Sequence, residues 1–417
     1  MKIPLGLSVT APPDVPMGCK LKNSPYGLKQ ASRQWFAKLS SSLESRGYTP
    51  SKNDSSTFTK VSDGSIIVLG VFVDDILLAG NNDSEMLDLK SFLDYQFKIK
   101  DLGSVHYFLG LEITKVSQGF IINQHKYTIG LLTEFHCLDA KPTLTPLDPH
   151  HKLSSDSGDA LPDPSLYRRL VSKLNFLQHT RPDISYSVQH LSQFLVSPKV
   201  PHMLTGLHVL RYLLNDPAQG ILLNNSTDFS LQAYSDSDWA ACPMSRRSVT
   251  GFFVLLGGCP ISWKSKKQPT VSLSSAEAEY RALRKVVAEL VWLGRLLGDM
   301  GLVVKSPVPV YCDSQAALHI ARNPVFHERT KHIEIDCHYV RDILSSGYIS
   351  LHHVCSSDQL ADVLTKSLTG VPHHRLMCKL GVHSPSSLIE ELYAYGDLLS
   401  FFQQKVLGLV DCHITGL

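Results

Sequence analysis

The sequence predicts an α/β protein, and three observations predict this class. Short apolar runs of strand length are interspersed with longer runs in which apolar residues recur at helical spacing, the longest from Ala276 to about Met300. Acidic residues stand where two strand-like runs end, and an α/β fold brings such positions together at one sheet edge. The chain has 417 residues, 43% apolar and 19% charged, an ordinary globular composition with room for two or three domains.

Charge and cysteine content exclude several classes of protein. The net charge of +2 is too small for a chain-wide polyanion-binding surface, so any contact with nucleic acid must be local. The nine cysteines show no C-x-x-C pair and no zinc spacing, which indicates reduced thiols and a cytoplasmic or nuclear location, not secretion. The longest apolar stretches, near 66–73 and 252–256, are too short to span a bilayer, and no signal-peptide pattern opens the chain, so we expect no membrane partner.

The first candidate contact surface surrounds the start of a helix predicted from Ala31 to about Arg46. Basic and aromatic residues interleave there, and together they suit contact with the backbone and bases of a nucleic acid. The candidate contacts are Lys29, Gln30, Arg33 and Trp35. A solvated face of an amphipathic helix explains the same pattern.

Asp74 and Asp75 separate two apolar strands, Ile66–Val73 and Ile76–Ala79. Aspartate is a good turn former, so a purely structural turn is one explanation. Two adjacent carboxylates directly between buried strands have little other structural use, and we favour a metal site.

From Phe120 to about Asn225 the pattern is mainly helical, interrupted by a loop rich in proline, aspartate and serine at 142–164 that predicts a linker. Four basic side chains of this region suit contact with a duplex backbone, although exposed helix charges explain them equally well. They are Arg168, Arg169, Lys173 and Arg181.

The long helix predicted from Ala276 carries two acidic residues that cannot share one role. Ser274 and Glu277 form a capping-box pattern, which accounts for Glu277. Glu279 falls on the same helix face as Leu283 and Val286, so its carboxylate points toward the core. An inward carboxylate is costly unless a positive charge pairs with it, and a divalent metal would supply that charge.

Three further acids have the same character. Asp236 ends one strand pattern, Asp313 ends another, and Asp362 lies inside the helical run 358–368; Asp238 is the second choice for the role of Asp236. Clustered carboxylates cannot all ionise without a cation, and hard oxygen ligands suit Mg²⁺. Taken alone, Glu279 is better explained as a helix-start acid, Asp313 as an N-cap and Asp362 as a surface acid, and the ordered set favours the metal site.

Basic residues flank the strands predicted at 249–256 and 260–263. Such side chains position a duplex through its phosphates without reading its sequence, whereas each residue alone also fits a solvated strand end. The group consists of Arg246, Arg247, Lys264, Lys266 and Lys267.

Six sequence runs carry a further signal: Tyr234–Ala240, Trp263–Ser272, Ser275–Leu283, Tyr311–Ala317, Asn323–Ile333 and Gln359–Lys366. Together they resemble the RNase H domain of copia-type retrotransposon polyproteins. The resemblance implies that Asp236, Glu279, Asp313 and Asp362 hold two Mg²⁺ ions, with Mn²⁺ as an alternative, and cleave RNA in an RNA–DNA hybrid. It also implies an auxiliary histidine: His332 is the candidate, with His327 and His338 as alternatives.

The first part of the chain resembles the reverse transcriptase of the same family. The runs that carry the resemblance are Val73–Asp75, Ser24–Trp35 and Tyr107–Ile113, with Pro25 and Ser32 as departures from the family pattern. It implies catalytic, metal-binding roles for Asp74 and Asp75 and a primer–template partner. The family's third aspartate lies on a strand upstream of the segment with which this chain begins, and Asp14, Glu44 and Asp54 lie on no strand pattern that replaces it. We therefore expect unpaired palm sheet edges and loss of DNA polymerisation, with dNTP used only if the site is completed in trans.

The predicted organisation has four parts. An α+β palm remnant at 1–115 precedes a helical thumb or connection region at 116–228, an RNase H-like mixed sheet flanked by helices at 229–370 and an atypical tail at 371–417. The expected protein is a retrotransposon-derived reverse transcriptase and RNase H whose surviving activity is two-metal hydrolysis of RNA in hybrids. The alternative is an inactive relic or gene-model fragment that at most binds nucleic acid.

Overall fold

The computed structural model describes residues 28, 30–62, 64–73, 75–150, 153–323 and 334–385, together with the backbone of 412–415. Two units divide the chain, one comprising 1–103 with 410–417 and the other 104–409. No helix in the described ranges is both long enough and apolar enough to cross a membrane.

The described residues of the first unit form two helices and a six-stranded sheet. The helices are α1 (Ala31–Glu44) and α2 (Asp83–Phe97), and the strands are β1 (Thr49–Pro50), β2 (Thr57–Ser62), β3 (Ser65–Phe72), β4 (Asp75–Gly80), β5 (Lys100–Asp101) and β16 (Cys412–Thr415). The strand order is β1-β2-β3-β4-β16-β5. Alternating burial along β3 and β4 places one face of the hairpin against the helices, as the apolar pattern predicts.

The expectation of unpaired edges in the palm sheet is wrong for β4, the strand that begins at Asp75. Residues Cys412–Thr415 form β16, which pairs antiparallel with β4 and with β5. An open strand edge leaves a row of backbone N–H and C=O groups without partners, and the C-terminal segment satisfies them here. The segments 387–392 and 398–410, for which the sequence predicts a helix and an apolar stretch, lie outside the described residues.

The second unit contains the remaining helices and two five-stranded sheets. Its helices are α3 (His125–Glu134), α4 (Pro164–Leu177), α5 (Ser185–Leu191), α6 (Val200–Leu213), α7 (Ser275–Asp299), α8 (Gln315–Arg322), α9 (Glu334–Ser345) and α10 (Gly370–Met377). Its strands are β6 (Tyr107–Phe108), β7 (Leu111–Val116), β8 (Gly119–Asn123), β9 (Gly220–Asn224), β10 (Leu231–Asp238), β11 (Val249–Leu256), β12 (Cys259–Lys267), β13 (Val308–Cys312), β14 (Ile349–His353) and β15 (Val382–His383).

A mixed sheet in the order β12-β11-β10-β13-β14 forms the framework of the candidate site. Strands β12, β11 and β10 are antiparallel, whereas β13 and β14 run parallel to β10. Helix α7 packs on this sheet through its apolar stripe, including Leu283, Val286 and Leu290, all fully buried. The predicted α/β class, with a mixed sheet flanked by helices, is confirmed.

The second sheet of this unit, in the order β15-β9-β8-β7-β6, shows that the region 120–225 is not purely helical. Helices α3 to α6 share a separate core in which Tyr167, Leu174 and Leu210 are buried. The region therefore contains a helical cluster and two strands, β8 and β9, that pair antiparallel within this sheet.

Arg181 belongs to this core and not to the surface. Its guanidinium binds both carboxylate oxygens of Asp183, with Nε 3.0 Å from Oδ1 and Nη2 2.8 Å from Oδ2. The Tyr212 hydroxyl donates to Asp183 Oδ2 at 2.8 Å. Because it is buried, Arg181 cannot contact a duplex.

The other three basic side chains of this region also have partners within the protein. Arg168 donates to two backbone carbonyls, and Arg169 and Lys173 both pair with Glu134.

Candidate active site

Asp236 and Asp313 are brought together by the pairing of two parallel strands. Ser235 of β10 pairs with Cys312, the last residue of β13, so the residues that follow them, Asp236 and Asp313, lie at the same edge. Asp236 is buried, whereas Asp313 is half-buried and accepts a hydrogen bond from Ser356 Oγ at 3.0 Å. The two acids therefore lie together as expected, although β10 continues past Asp236 to Asp238.

Glu279 reaches the same edge from helix α7. The helix begins where predicted: Ser274 Oγ accepts from the Glu277 amide at 3.2 Å, and the Glu277 carboxylate accepts from the Leu273 amide at 2.8 Å. One half-turn later, the buried Glu279 carboxylate accepts from the backbone amide of Ser237 at 3.2 Å. This hydrogen bond ties the helix start to strand β10 beside Asp236.

Asp362 approaches from a short 3-10 helix, Leu360–Leu364, and not from the α-helix predicted over 358–368. The side chain of Gln359 caps this helix and also donates to the carbonyl of Ser235 at 3.0 Å, which fixes the segment to β10. The Thr365 hydroxyl donates to Asp236 Oδ2. Asp362 is therefore buried within the cluster.

The four acids form two overlapping groups that share Asp313. Ligand atoms of Asp236, Asp313 and Asp362 all lie within 4.8 Å of one another, and so do those of Glu279, Cys312 and Asp313. Carboxylate oxygens are the donors that Mg²⁺ and Mn²⁺ prefer. The carboxylates of both groups therefore fit divalent ions, whereas the buried Cys312 thiol is not a donor that these ions prefer.

The pKa shifts of these carboxyl groups also favour a bound cation. Burial raises the pKa of Asp236, and burial reinforced by Asp236 and Asp313 raises the pKa of Glu279 well above its usual range. Burial and then the neighbouring Asp236 raise the pKa of Asp362 to about 7. Carboxyl groups that resist ionisation in this way are stabilised as carboxylates by a nearby cation.

Lys366 also lies in this site, although no role for it is expected from the sequence. Its Nζ lies 2.9 Å from Asp362 Oδ1 and 3.8 Å from Asp236 Oδ2. In the α-helix predicted over 358–368, residues four apart lie on one face, so the spacing of Asp362 and Lys366 is a signal that could have revealed the pair. The pair forms even though the segment is a 3-10 helix that ends at Leu364.

Gly251 allows the 3-10 helix to approach the sheet, and Gly251→Ala is expected to disturb the site. Gly251 lies opposite Asp236 in β11, and a Cβ there would lie 2.6 Å from Thr365 Cγ2, 2.9 Å from Leu364 Cβ and 3.0 Å from the Ala361 carbonyl oxygen. Alanine favours a strand over glycine by about 0.5–1 kcal/mol, but this clash costs roughly 1–3 kcal/mol, so the net effect is destabilising. Displacement of Asp362 should lower any cleavage activity at least about tenfold.

Denaturant unfolding and cleavage assays on the same preparations test this effect. Gly298→Ala is the matched control, since a Cβ at Gly298 in α7 meets nothing within 4 Å. That variant should be neutral or slightly stabilised, because alanine favours a helix over glycine. Equal stability and activity of wild type and Gly251→Ala would show that the 3-10 helix is not held at this glycine.

The other predicted metal-binding positions lie elsewhere. Asp238 is half-buried at the end of β10 and belongs to neither carboxylate group of the described residues, so it does not replace Asp236. Asp75 begins β4 in the first unit, whereas Asp74 lies outside the described residues. The candidate histidines His332 and His327 also lie outside them, and His338 is exposed on α9.

The predicted nucleic-acid contacts divide into exposed and internal side chains. The exposed ones are Gln30, Arg33, Arg246, Arg247, Lys264 and Lys266, and Lys29 lies outside the described residues. Trp35 packs against the apolar core of the first unit, which favours a structural role. Lys267 donates to Gln193 Oε1 and to Cys242 Sγ, each at 2.8 Å, so its ammonium is engaged within the second unit.

Comparison with known proteins identifies one matching family model and similar relatives. A family model described as reverse transcriptase (RNA-dependent DNA polymerase) matches residues 1–149. The chain is 42% identical over 364 residues to the retrovirus-related Pol polyprotein from transposon RE1 of Arabidopsis thaliana, covering 87% of this chain and 25% of that protein. It is 31% identical over 274 residues to a putative transposon Ty5-1 protein of Saccharomyces cerevisiae, covering 65% of this chain and 89% of that protein.

The chain thus spans about a quarter of the Arabidopsis polyprotein that it matches, with 25% of that protein covered. Among solved structures, it is similar to LC11-RNase H1, which was crystallised in complex with an RNA/DNA hybrid. That alignment has 16% sequence identity and a TM-score of 0.26, and it covers 32% of this chain and 93% of the solved one.

Proposed function

This chain belongs to the copia-type Pol polyproteins of retrotransposons, and from that premise we propose that its second unit hydrolyses the RNA strand of RNA–DNA hybrids in a Mg²⁺-dependent reaction. The proposal includes the predicted domain bounds, with the RNase H-like domain at 229–370. It also includes a cytoplasmic or nuclear location, which the scattered cysteines favour.

One observation carries the proposal: four acidic side chains from four separate elements meet at one edge of the mixed sheet. Asp236 comes from β10, Glu279 from α7, Asp313 from the end of β13 and Asp362 from the 3-10 helix. Burying this many carboxylates together is unfavourable unless a cation compensates for it. The stability of the sheet does not require four acidic side chains at this edge.

Divalent ions bound by these four acids would promote attack of water on the scissile phosphodiester and stabilise the charge that develops on the leaving oxygen. The protein's own contribution is positioning. The Ser237 amide fixes Glu279, Ser356 fixes Asp313 and the Thr365 hydroxyl fixes Asp236. Exposed basic side chains near the sheet, such as Lys264 and Lys266, suit contact with the phosphates of the duplex.

Cleavage of a labelled RNA–DNA hybrid by the full chain tests this function. The proposal requires cleavage of the RNA strand with Mg²⁺, none with EDTA, and none of matched double-stranded RNA or DNA. Cleavage that persists in EDTA would exclude the proposed chemistry.

We further propose that the 417 residues alone do not polymerise DNA. Asp74 and Asp75 supply two carboxylates, and the family that this region resembles uses a third aspartate to hold its metal ions. Asp54 is occupied by its own turn, where it accepts from the Ser56 amide at 3.0 Å and the Thr57 hydroxyl at 3.1 Å, and Glu44 ends α1. We expect no extension of a labelled primer with dNTP in a preparation that does cleave hybrids; templated synthesis by that preparation would contradict this expectation.

A further inference from the structure

Lys366 places a positive charge where the proposed function requires a metal. Its ammonium contacts Asp362 Oδ1 at 2.9 Å and lies 3.8 Å from Asp236 Oδ2. Both carboxylates are almost inaccessible to solvent, with side chains 9% and 3% exposed. They are also two of the three acids in one candidate metal group.

The carboxylates near Lys366 have few other sources of positive charge among the described residues. The nearest contacts of Asp236, Asp313 and Glu279 are uncharged: Thr365, Ser356 and the amide of Ser237. Lys366 forms ion pairs with both Asp236 and Asp362. Its ammonium therefore offsets much of the mutual repulsion among these buried carboxylates.

An ammonium and a divalent ion cannot both keep close contact with the same two carboxylates at full strength. Each lowers the negative potential that attracts the other, and the two cations repel at separations of a few ångströms. The Lys366 side chain is 37% exposed, so it has a route toward solvent, unlike the carboxylates that it pairs with. Binding of a metal should therefore shift the ammonium outward.

We propose that Lys366 is a built-in counter-cation that holds the acidic cluster together without metal and competes with the divalent ion for Asp236 and Asp362. Lys366 is thus a positioning residue, and its role rests on the metal-binding part of the proposed function. Two sites linked in this way usually change each other's affinity about 5- to 150-fold. Because Lys366 is partly exposed and its charge is screened, we expect an effect at the low end of that range.

Titration calorimetry with Mg²⁺ alone, on metal-stripped full chain, measures the competition directly. Lys366→Met should bind Mg²⁺ about tenfold more tightly than wild type. It should also melt at a lower temperature in EDTA, with the difference shrinking at saturating Mg²⁺. Lys366→Arg retains the charge and should restore wild-type Mg²⁺ affinity; Lys366→Gln is a second neutral variant should the methionine variant fail to fold.

Lys379→Met is the matched control, because Lys379 also pairs with an aspartate, Asp358 at 2.6 Å, but at the surface. It should change neither Mg²⁺ affinity nor melting in EDTA. Equal or weaker Mg²⁺ binding by folded neutral Lys366 variants would overturn the competition while leaving the proposed function intact. Absence of Mg²⁺ binding in the wild type and all variants would instead overturn the proposed function, and the competition with it.

Discussion

Replacement of Asp313 by asparagine is expected to lower Mg²⁺-dependent cleavage of an RNA–DNA hybrid about a thousandfold, which corresponds to ~4 kcal/mol of transition-state stabilisation. Asp313 is the acid shared by both candidate ligand groups, so its neutralisation affects both. An amide has nearly the shape of a carboxylate, but it lacks the charge that a hard cation prefers. Since Asp313 is half-buried and accepts one hydrogen bond from Ser356, the variant should fold normally.

The measurement is single-turnover cleavage at saturating Mg²⁺, with folding checked by thermal melting. Asp228→Asn is the control, because Asp228 is an exposed aspartate of the same unit that pairs with Lys305 at 3.4 Å. It should cleave at the wild-type rate. Equal cleavage by Asp313→Asn and wild type would show that a contaminating nuclease, or a different site, is responsible.

A folded wild-type chain that cleaves no hybrid would favour the other hypothesis, an inactive relic that binds nucleic acid. Binding of the RNA–DNA hybrid, measured by fluorescence anisotropy, then tests that hypothesis. Binding through exposed basic residues such as Arg246, Lys264 and Lys266 must weaken as salt concentration rises, because it releases condensed counterions. Binding that does not depend on salt would argue against this surface.

Helical periodicity is sufficient to predict that Glu279 points inward, since a residue on the same face as Leu283 and Val286 is buried when that face packs on a sheet. For Asp236 and Asp313 the strand pattern predicts a shared sheet edge, because parallel neighbouring strands carry such residues to one edge. Asp236 is buried at that edge, whereas Asp313 is half-buried. Both arguments use local pattern together with a general rule of α/β architecture.

The same reasoning failed where the outcome depends on a partner distant in sequence. Asp362 was predicted on an α-helix, but Gln359 and Thr365 bond to β10 and hold the segment as a 3-10 helix. Trp35 fits a nucleic-acid contact pattern, and the structure adds that its partly buried ring packs against the core of the first unit, which the pattern does not reveal. Periodicity identifies the buried face of an element, but it does not identify what packs against that face.

Asp183→Asn is expected to destabilise the second unit by about 3–5 kcal/mol, the cost of leaving a buried charge without its partner. The Arg181 and Asp183 side chains are 4% and 0% exposed, so Arg181 would remain charged in a site closed to water. Burial alone would raise the pKa of Asp183, but Arg181 and the Tyr212 hydroxyl hold that pKa below its usual range, which shows how strongly the ionised pair is stabilised. The amide keeps the shape and removes the charge.

Denaturant unfolding followed by tryptophan fluorescence reports on this unit, because Trp239, Trp263 and Trp292 lie within it. Asp358→Asn is the matched control: Asp358 also pairs with an arginine, Arg375 at 3.0 Å, but its side chain is 43% exposed. Exposed ion pairs contribute little, so the control should unfold with the wild type. A midpoint for Asp183→Asn equal to that of Asp358→Asn would mean that water reaches Arg181 and that the pair is not a buried one. A large shift for Asp183→Asn alone would establish that this ion pair, joined to α6 through Tyr212, supports the framework that carries the acidic cluster.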